Sequence, residues 1–405
     1  MHIGYFVSGW PLSARASGIV TYIDAMKQEL ESAGHEVSIF CASLEPATGG
    51  ENIHKVEHRR TETLWSRVSD RILANFRPDQ GPYLYGKSIA NTVAQVHSRK
   101  PLDVFEVEES FGWSKDLEAL GSFPVVVRLH GPTFLVQQHS LGAAERYRVE
   151  REGAALQQAR FITAPARCTM EETISRYALK PLLARTIPNP YPLPAEALQV
   201  RQPMGDSQEL LFVGRFDTVK GADKLLQVFA ILAERHPKLH LIFAGPDIGI
   251  PQPGGELLKF GPYVERHMKE DVRQRIQFLG QQTPDQIRAL RARATMTLVT
   301  SRWENQPYVI LEAMAQQCPV VAFAAGGIAE VVQHERNGLS APPGQVDELA
   351  RQAERLLLEP ELREELARAG LRYVSSVHNP ATVAAALVDT YEAARSAWTS
   401  ERSGV

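Results

Sequence analysis

Two kinds of hydrophobic pattern alternate along this chain. Short, nearly continuous apolar runs, "HIGYFV", "EVSIF", "DVFEV" (103–107), "VVVRLH" (125–130) and "FITAP" (161–165), stand between longer stretches with helical periodicity. Runs of the first kind are typical of strands buried on both faces of a parallel sheet. In "IVTYIDAMKQELESAGHEVSIF", residues Ile19, Tyr22, Ile23, Met26 and Leu30 recur at helical spacing, and Gly34 suits a helix C-terminus. Further helical patterns lie around 82–98 and 144–159. Strand, loop, helix and strand in that order predict an α/β class protein with a doubly wound parallel sheet.

Near residue 187 the pattern breaks. "IPNPYPLPAEALQVRQPMGDSQ" carries Pro188, Pro190, Pro192, Pro194 and Pro203, and so many prolines cannot continue a helix or a central strand. The pattern then restarts with "ELLFVGRF", "GADKLLQVFAILAERH", "LHLIFAG", "IQFLG", "TPDQIRALRARA", "MTLVT", a helix opening near Pro307, and "PVVAF". The organisation expected is a first domain over 1–190, a Pro-rich linker over 191–208, a second domain over 209–375, and a last helix within 376–405 returning to the N-terminal domain.

Composition agrees with two domains. At 405 residues the chain exceeds one ordinary core, and 44% hydrophobic with 22% charged residues is usual for a soluble globular protein. A net charge of -3 points to no nucleic-acid partner. Cys41, Cys168 and Cys318 are far apart, as suits a reducing compartment. The chain opens directly on a strand pattern, with no leader pattern and no apolar run of membrane-spanning length, so a cytoplasmic location is expected. In 59–77, "RRTETLWSRVSDRILANFR", Leu64, Trp65, Val68, Ile72 and Phe76 share a helical face beside five arginines. Such a helix can lie on an anionic membrane surface, giving peripheral contact, or pack on a core with its charged face outward.

Candidate chemistry gathers where strands end and helices begin, because exposed N–H groups there favour phosphate. Ser17-Gly18 closes the first strand-to-helix loop, where glycine allows close backbone approach. "VGRFDTVKG" sets Arg215 and Lys220 in the second domain's first loop, as a clamp for a diphosphate. In "SRWENQPYVILEAMAQQCPVVAFAAGG", Pro307 suits the first helical turn with Asn305 or Gln306 as the cap. Glu304 then sits beside the helix start and Glu312 about 7 Å further along its axis. Carboxylates accept from pairs of sugar hydroxyls, so one can hold a sugar and the other a ribose. His130 follows a strand and precedes a Gly-Pro turn. Each residue alone also fits an ordinary role: a turn glycine, a solvated basic loop, a first-turn acid with a surface glutamate, a capping histidine. His54 and His58, in "HKVEH", lack the motif of a zinc protease, and no Asp-x-Asp occurs, so no metal and no separate cofactor is expected.

Taken together, "RFDTVKG", "FAGPD", "IQFLG", the long glutamate-bearing segment through "AAGGIAEVVQHERNGL" and "APPG" resemble GT-B glycosyltransferases of family 4 in content and order. The resemblance is strong over 209–350, extends to "SGIVTYIDAMKQELESAGHEVSIF", "VVVRLHG" and "TIPNPY", and is weak over 46–100. It implies two Rossmann-like domains facing each other across a cleft. The implied reaction is a retaining, metal-independent transfer of a sugar from a nucleotide diphosphate, UDP being the commonest, to a glycan, lipid-linked sugar or small-molecule acceptor. By match of motif, Arg215 and Lys220 would bind the diphosphate and stabilise the leaving group. Glu304 would contact donor-sugar hydroxyls, Glu312 the nucleotide ribose, Gly18 the phosphates and His130 the sugar. Gly214, Gly245, Asn305, Gly326 and Gly327 would complete the donor side. Ser17 stands where the family often has a second glycine, and "IGIPQPGGELLKFGP" is a long insertion after "FAGPD". Retention is compatible with a covalent carboxylate adduct or with front-face attack within an ion pair, and the implied place of Glu304 beside the sugar hydroxyls favours front-face attack. The other readings are a two-domain sugar-binding protein and another GT-B enzyme, such as a nucleotide-sugar epimerase.

Overall fold

A computed structural model describes residues 1–12, 17–45, 50–57, 80–137, 142–194 and 208–403. The 59–77 segment, His58 and most of the expected linker lie outside the described residues. The chain divides into two compact units, Met1–Pro190 with Pro380–Val405, and Tyr191–Asn379.

The first unit holds a seven-stranded sheet. Its strands are β1 (His2–Val7), β2 (Glu36–Cys41), β3 (Ile53–Lys55), β4 (Val104–Glu108), β5 (Val125–Arg128), β6 (Phe161–Ala164) and β7 (Leu183–Thr186). They run parallel in the order β3-β2-β1-β4-β5-β6-β7. Central strands such as β1, β4 and β5 are buried throughout, as their continuous apolar runs require, whereas β7 at the edge alternates. Helix Gly18–Ser32 buries Val20, Tyr22, Ile23, Ala25, Met26 and Leu30, with the Ser17 hydroxyl accepting from the Val20 amide at its start.

The last helix, Pro380–Ser403, belongs to this first unit; residues 376–379 stay with the second. Its apolar face, Val383, Ala384, Leu387, Tyr391 and Ala394, joins the core of β1, β2 and helix Gly18–Ser32. A polar knot fastens it. Buried Glu106 accepts from Tyr22 and from Tyr391, each at 2.8 Å, and the Tyr391 hydroxyl also meets that of Tyr5 at 2.8 Å. The Arg128 guanidinium lies 4.1 Å over the Tyr22 ring and donates to the Ile187 carbonyl and Asn189. Burial pushes the Glu106 carboxyl above the usual range, which Arg128 and the two phenols oppose.

The second unit holds a six-stranded sheet. Its strands are β8 (Glu209–Val213), β9 (His240–Ala244), β12 (Ile276–Phe278), β13 (Met296–Val299), β14 (Val320–Phe323) and β15 (Leu339–Ala341). They are parallel, in the order β12-β9-β8-β13-β14-β15. The amphipathic helix Ala222–Arg235 packs Leu225, Leu226, Val228, Phe229 and Leu232 against the core. The 246–262 insertion forms a small antiparallel hairpin, β10 (Ile250–Pro251) with β11 (Leu257–Leu258), and then helix Phe260–His267. Among the described residues no helix is long and apolar enough to cross a membrane.

Two expectations are corrected locally. The strand expected to reach residue 130 ends at Arg128, because the amides of His130 and Gly131 turn to the Glu109 carboxylate instead of the ladder. The helix after Glu304 begins at Tyr308 with Pro307 as its cap residue, so neither Asn305 nor Gln306 caps it. Proline has no amide hydrogen and here takes extended geometry, and Asn305 and Gln306 are buried in the preceding loop.

Tyr391→Phe leaves Glu106 and Tyr5 each short of a buried partner. The variant is expected to lose about 1–3 kcal/mol of stability in urea denaturation. An unchanged midpoint would show that the knot does not fasten the last helix.

Candidate functional site

In the second unit the candidate residues emerge together at the carboxyl ends of the strands. Gly214 and Arg215 follow β8, Gly245 follows β9, Ser301 to Asn305 follow β13, and Gly326-Gly327 follow β14. This is the edge at which open parallel sheets take ligands.

The loop after β8 is organised from inside by Asp217. Its carboxylate accepts from Arg215 Nε at 2.6 Å and from the Lys220 amide at 2.7 Å. Lys220 then extends to Glu304, whose Oε1 accepts from Lys220 Nζ and, at 2.9 Å, from the Ser301 hydroxyl. The Glu304 backbone is bonded in turn to the turn after β14: the Gly327 amide donates to the Glu304 carbonyl at 2.9 Å. Gly326, with φ +59°, passes so close that a Cβ there would stand 2.5 Å from that carbonyl. Gly221 meets the same demand: φ is +67° and a Cβ would lie 1.8 Å from the Thr300 carbonyl oxygen. Only glycine fits either place.

Glu312 stands in helix Tyr308–Ala315 and is partnered by Arg291 through Oε2. The Arg291 side chain is 2% exposed and that of Glu312 is 35%, so the arginine anchors the carboxylate from beneath while the carboxylate reaches solvent. Gly214 and Gly245 meet at the base of the first loop, where the Gly214 amide donates to the Ala244 carbonyl and the Gly245 amide to that of Gly280. Cations at Arg215 and Lys220, carboxylates at Glu304 and Glu312, and a helix start between the carboxylates suit a phosphorylated, hydroxyl-rich ligand.

Gly18 and His130 belong to the first unit. Gly18 is exposed at the first turn of its helix. His130 packs edge-on against Tyr22, with ring centroids 5.4 Å apart. Burial and the Arg128 cation hold its imidazole well below the ordinary range, so it is uncharged at neutral pH. Its loop rests on two buried carboxylates. Glu109 accepts the His130 amide at 2.8 Å and the Gly131 amide at 2.7 Å. Glu152 accepts the amide and the hydroxyl of Thr133, and also Arg148.

Sequence reasoning missed Asp217, Arg291, Arg302, Glu109 and Glu152. Asp217 lies inside "RFDTVKG" and its role needed only the turn geometry. The others act through partners 21 or more residues away, except Glu152, whose nearer partner Arg148 is one helical turn back. No local spacing marks the distant pairs.

Two such parallel α/β units are the fold of the GT-B glycosyltransferases, and solved structures share it. Sucrose-phosphate synthase from Thermosynechococcus elongatus superposes with TM-score 0.74 at 20% identity, covering 98% of this chain and 99% of that one. The Anabaena protein HepE in complex with UDP-glucose superposes with TM-score 0.65 at 19% identity, covering 97% and 100%. An uncharacterized glycosyltransferase of Methanocaldococcus jannaschii is 29% identical over 203 residues, and the chain spans about half the length of that relative (49% of each). The Glycosyltransferase Family 4 model matches residues 16–193 and the Glycosyl transferases group 1 model residues 196–372. The two matches cover most of the chain, which belongs to the group 1 glycosyltransferases.

Glu109 makes stability depend on pH. Burial, and then the charge of Glu152, push its carboxyl to about 8 against an ordinary 4.5, outweighing the two amide hydrogen bonds. The folded form therefore keeps the proton where the unfolded chain has lost it. The stability this contributes is fully present below the ordinary value and is lost as pH rises through about 8. Urea midpoints of the wild type are expected to fall across that window, and those of Glu109→Gln to fall less. Parallel slopes would contradict the assignment.

Proposed function

We propose that the protein is a retaining, metal-independent glycosyltransferase whose donor is a UDP-sugar bound at the carboxyl edge of the second sheet. The observation that carries this reading is the Lys220–Glu304 pair set beside Arg215 and the Arg291-anchored Glu312. In this reading Arg215 and Lys220 hold the diphosphate, Glu304 the sugar hydroxyls and Glu312 the ribose. Gly326 and Gly327 keep the Glu304 loop in place. The UDP-glucose bound to HepE supports UDP as the first base to test.

The reaction follows from charge. As the bond from the sugar's C1 to the β-phosphate oxygen lengthens, negative charge gathers on the diphosphate, and the two cations lower its energy. The acceptor oxygen bonds to C1 on the face the phosphate leaves, and its proton passes to the departing phosphate oxygen. Glu304, paired with Lys220 and Ser301, is occupied as a hydrogen-bond acceptor, which supports front-face attack over a glycosyl-Glu304 adduct. The acceptor is a glycan, a lipid-linked sugar or a small hydroxylated molecule, the N-terminal unit is the acceptor domain, and the protein works in the cytoplasm. Peripheral contact with anionic membrane through 59–77 belongs to the same proposal.

Calorimetric titration with UDP, GDP and ADP in the presence of EDTA tests the site. UDP is expected to bind most tightly, and Glu312→Ala to weaken it by about tenfold or more, as removal of a charged hydrogen-bond acceptor does. Binding of no nucleotide, or binding untouched by the substitution, would overturn the reading and favour the two-domain sugar-binding protein.

A further inference from the structure

Arg302 lies between Ser301 and Glu304 in the loop after β13, yet its side chain points to the other loop. Its guanidinium grips Asp223 with two parallel bonds, Nη1 to Oδ1 and Nη2 to Oδ2, each 2.8 Å. Nη1 also donates to the Thr218 carbonyl. The Arg302 amide donates to the Val219 carbonyl at 3.0 Å, and the Thr300 hydroxyl to the carbonyls of Lys220 (3.1 Å) and Gly221 (2.9 Å). Contacts from Thr300 and Arg302 thus fall on residues 218 to 221 and 223, with Lys220 in the middle. The bidentate fork is the strong, directional form of an ion pair. Side-chain exposure is 29% for Arg302 and 14% for Asp223, so water screens the pair only partly.

We infer that Arg302 is the positioning residue for Lys220: its clamp on Asp223 and Thr218 fixes the height and direction from which the lysine reaches the β-phosphate. Both terminal nitrogens of Arg302 are committed to the clamp, so the residue acts through Lys220 rather than on the ligand. Asp217 sets the same loop from inside through the Lys220 amide. The lysine's backbone is therefore held on two sides, and its side chain, resting on Glu304, is the part left to turn to the ligand. A long amine with four rotatable bonds loses less freedom on binding when its base is fixed. The inference rests on the diphosphate reading of the site.

The test compares UDP with UMP, and inorganic pyrophosphate as a probe without a base. Arg302→Ala is expected to weaken UDP and pyrophosphate by about tenfold and UMP by less than about twofold, since only the distal phosphate depends on Lys220. In a Lys220→Ala background the same substitution is expected to add almost nothing. Asp223→Asn removes the clamp from its other end and is expected to reproduce the pattern if Arg302→Ala folds poorly. Equal losses for UDP and UMP, unchanged UDP binding, or a loss that persists without Lys220 would each overturn the inference. Failure of the wild type to bind UDP or pyrophosphate would instead overturn the diphosphate reading itself, and the inference with it.

Discussion

The ion pair between Lys220 and Glu304 joins loops that leave two adjacent strands, β8 and β13, and much of the second unit can be read as support for it. Two opposite charges at a sheet edge attract strongly only if neither can swing away into water. Asp217, Thr300 and Arg302 hold the lysine's loop, and Ser301 with Gly326-Gly327 hold the glutamate's. Gly221 is a consequence of this closeness, since a side-chain carbon there would collide with the Thr300 carbonyl; Gly326 answers a second close approach, of the turn after β14 to the Glu304 carbonyl. The pair also supplies two chemistries side by side, a cation and a hydrogen-bond acceptor.

The first unit solves its own problem differently. Its supporting groups are buried carboxyls at Glu106, Glu109 and Glu152. Glu106 gathers two tyrosines and faces Arg128, binding the last helix to the sheet, and Glu109 and Glu152 organise the loop of His130. A buried carboxyl costs solvation and is tolerated only when its oxygens are occupied. Here the occupants are two phenols for Glu106, two backbone amides for Glu109, and the amide and hydroxyl of Thr133 with the Arg148 guanidinium for Glu152. The uncharged His130 follows from the same dry surroundings.

Much of this was legible in the amino-acid order. Both sheets announced themselves through apolar runs, and the restart of the pattern after the prolines marked the second unit. Arg215, Lys220, Glu304 and Glu312 were singled out by motif, and the structure sets the first three in loops that follow β8 and β13 and Glu312 in the helix after the β13 loop. Short edge strands such as β3, β7 and β15 were missed, because three or four residues are too few to show a distinctive period. The cap at Pro307 was misplaced by one or two residues, since polar residues before a proline look like caps whether or not they turn toward the helix. Arg291 and Arg302 were invisible for a stronger reason: an arginine in a helix or loop reads as solvated, and only the fold shows what it is pressed against.

The most direct measurement is a crystal structure of the protein with UDP bound. The account predicts diphosphate oxygens within hydrogen-bonding distance of Arg215 and Lys220, and the ribose hydroxyls on the Glu312 carboxylate. UDP bound elsewhere, or bound at this edge with Lys220 still turned from the phosphates and Glu312 untouched, would contradict it.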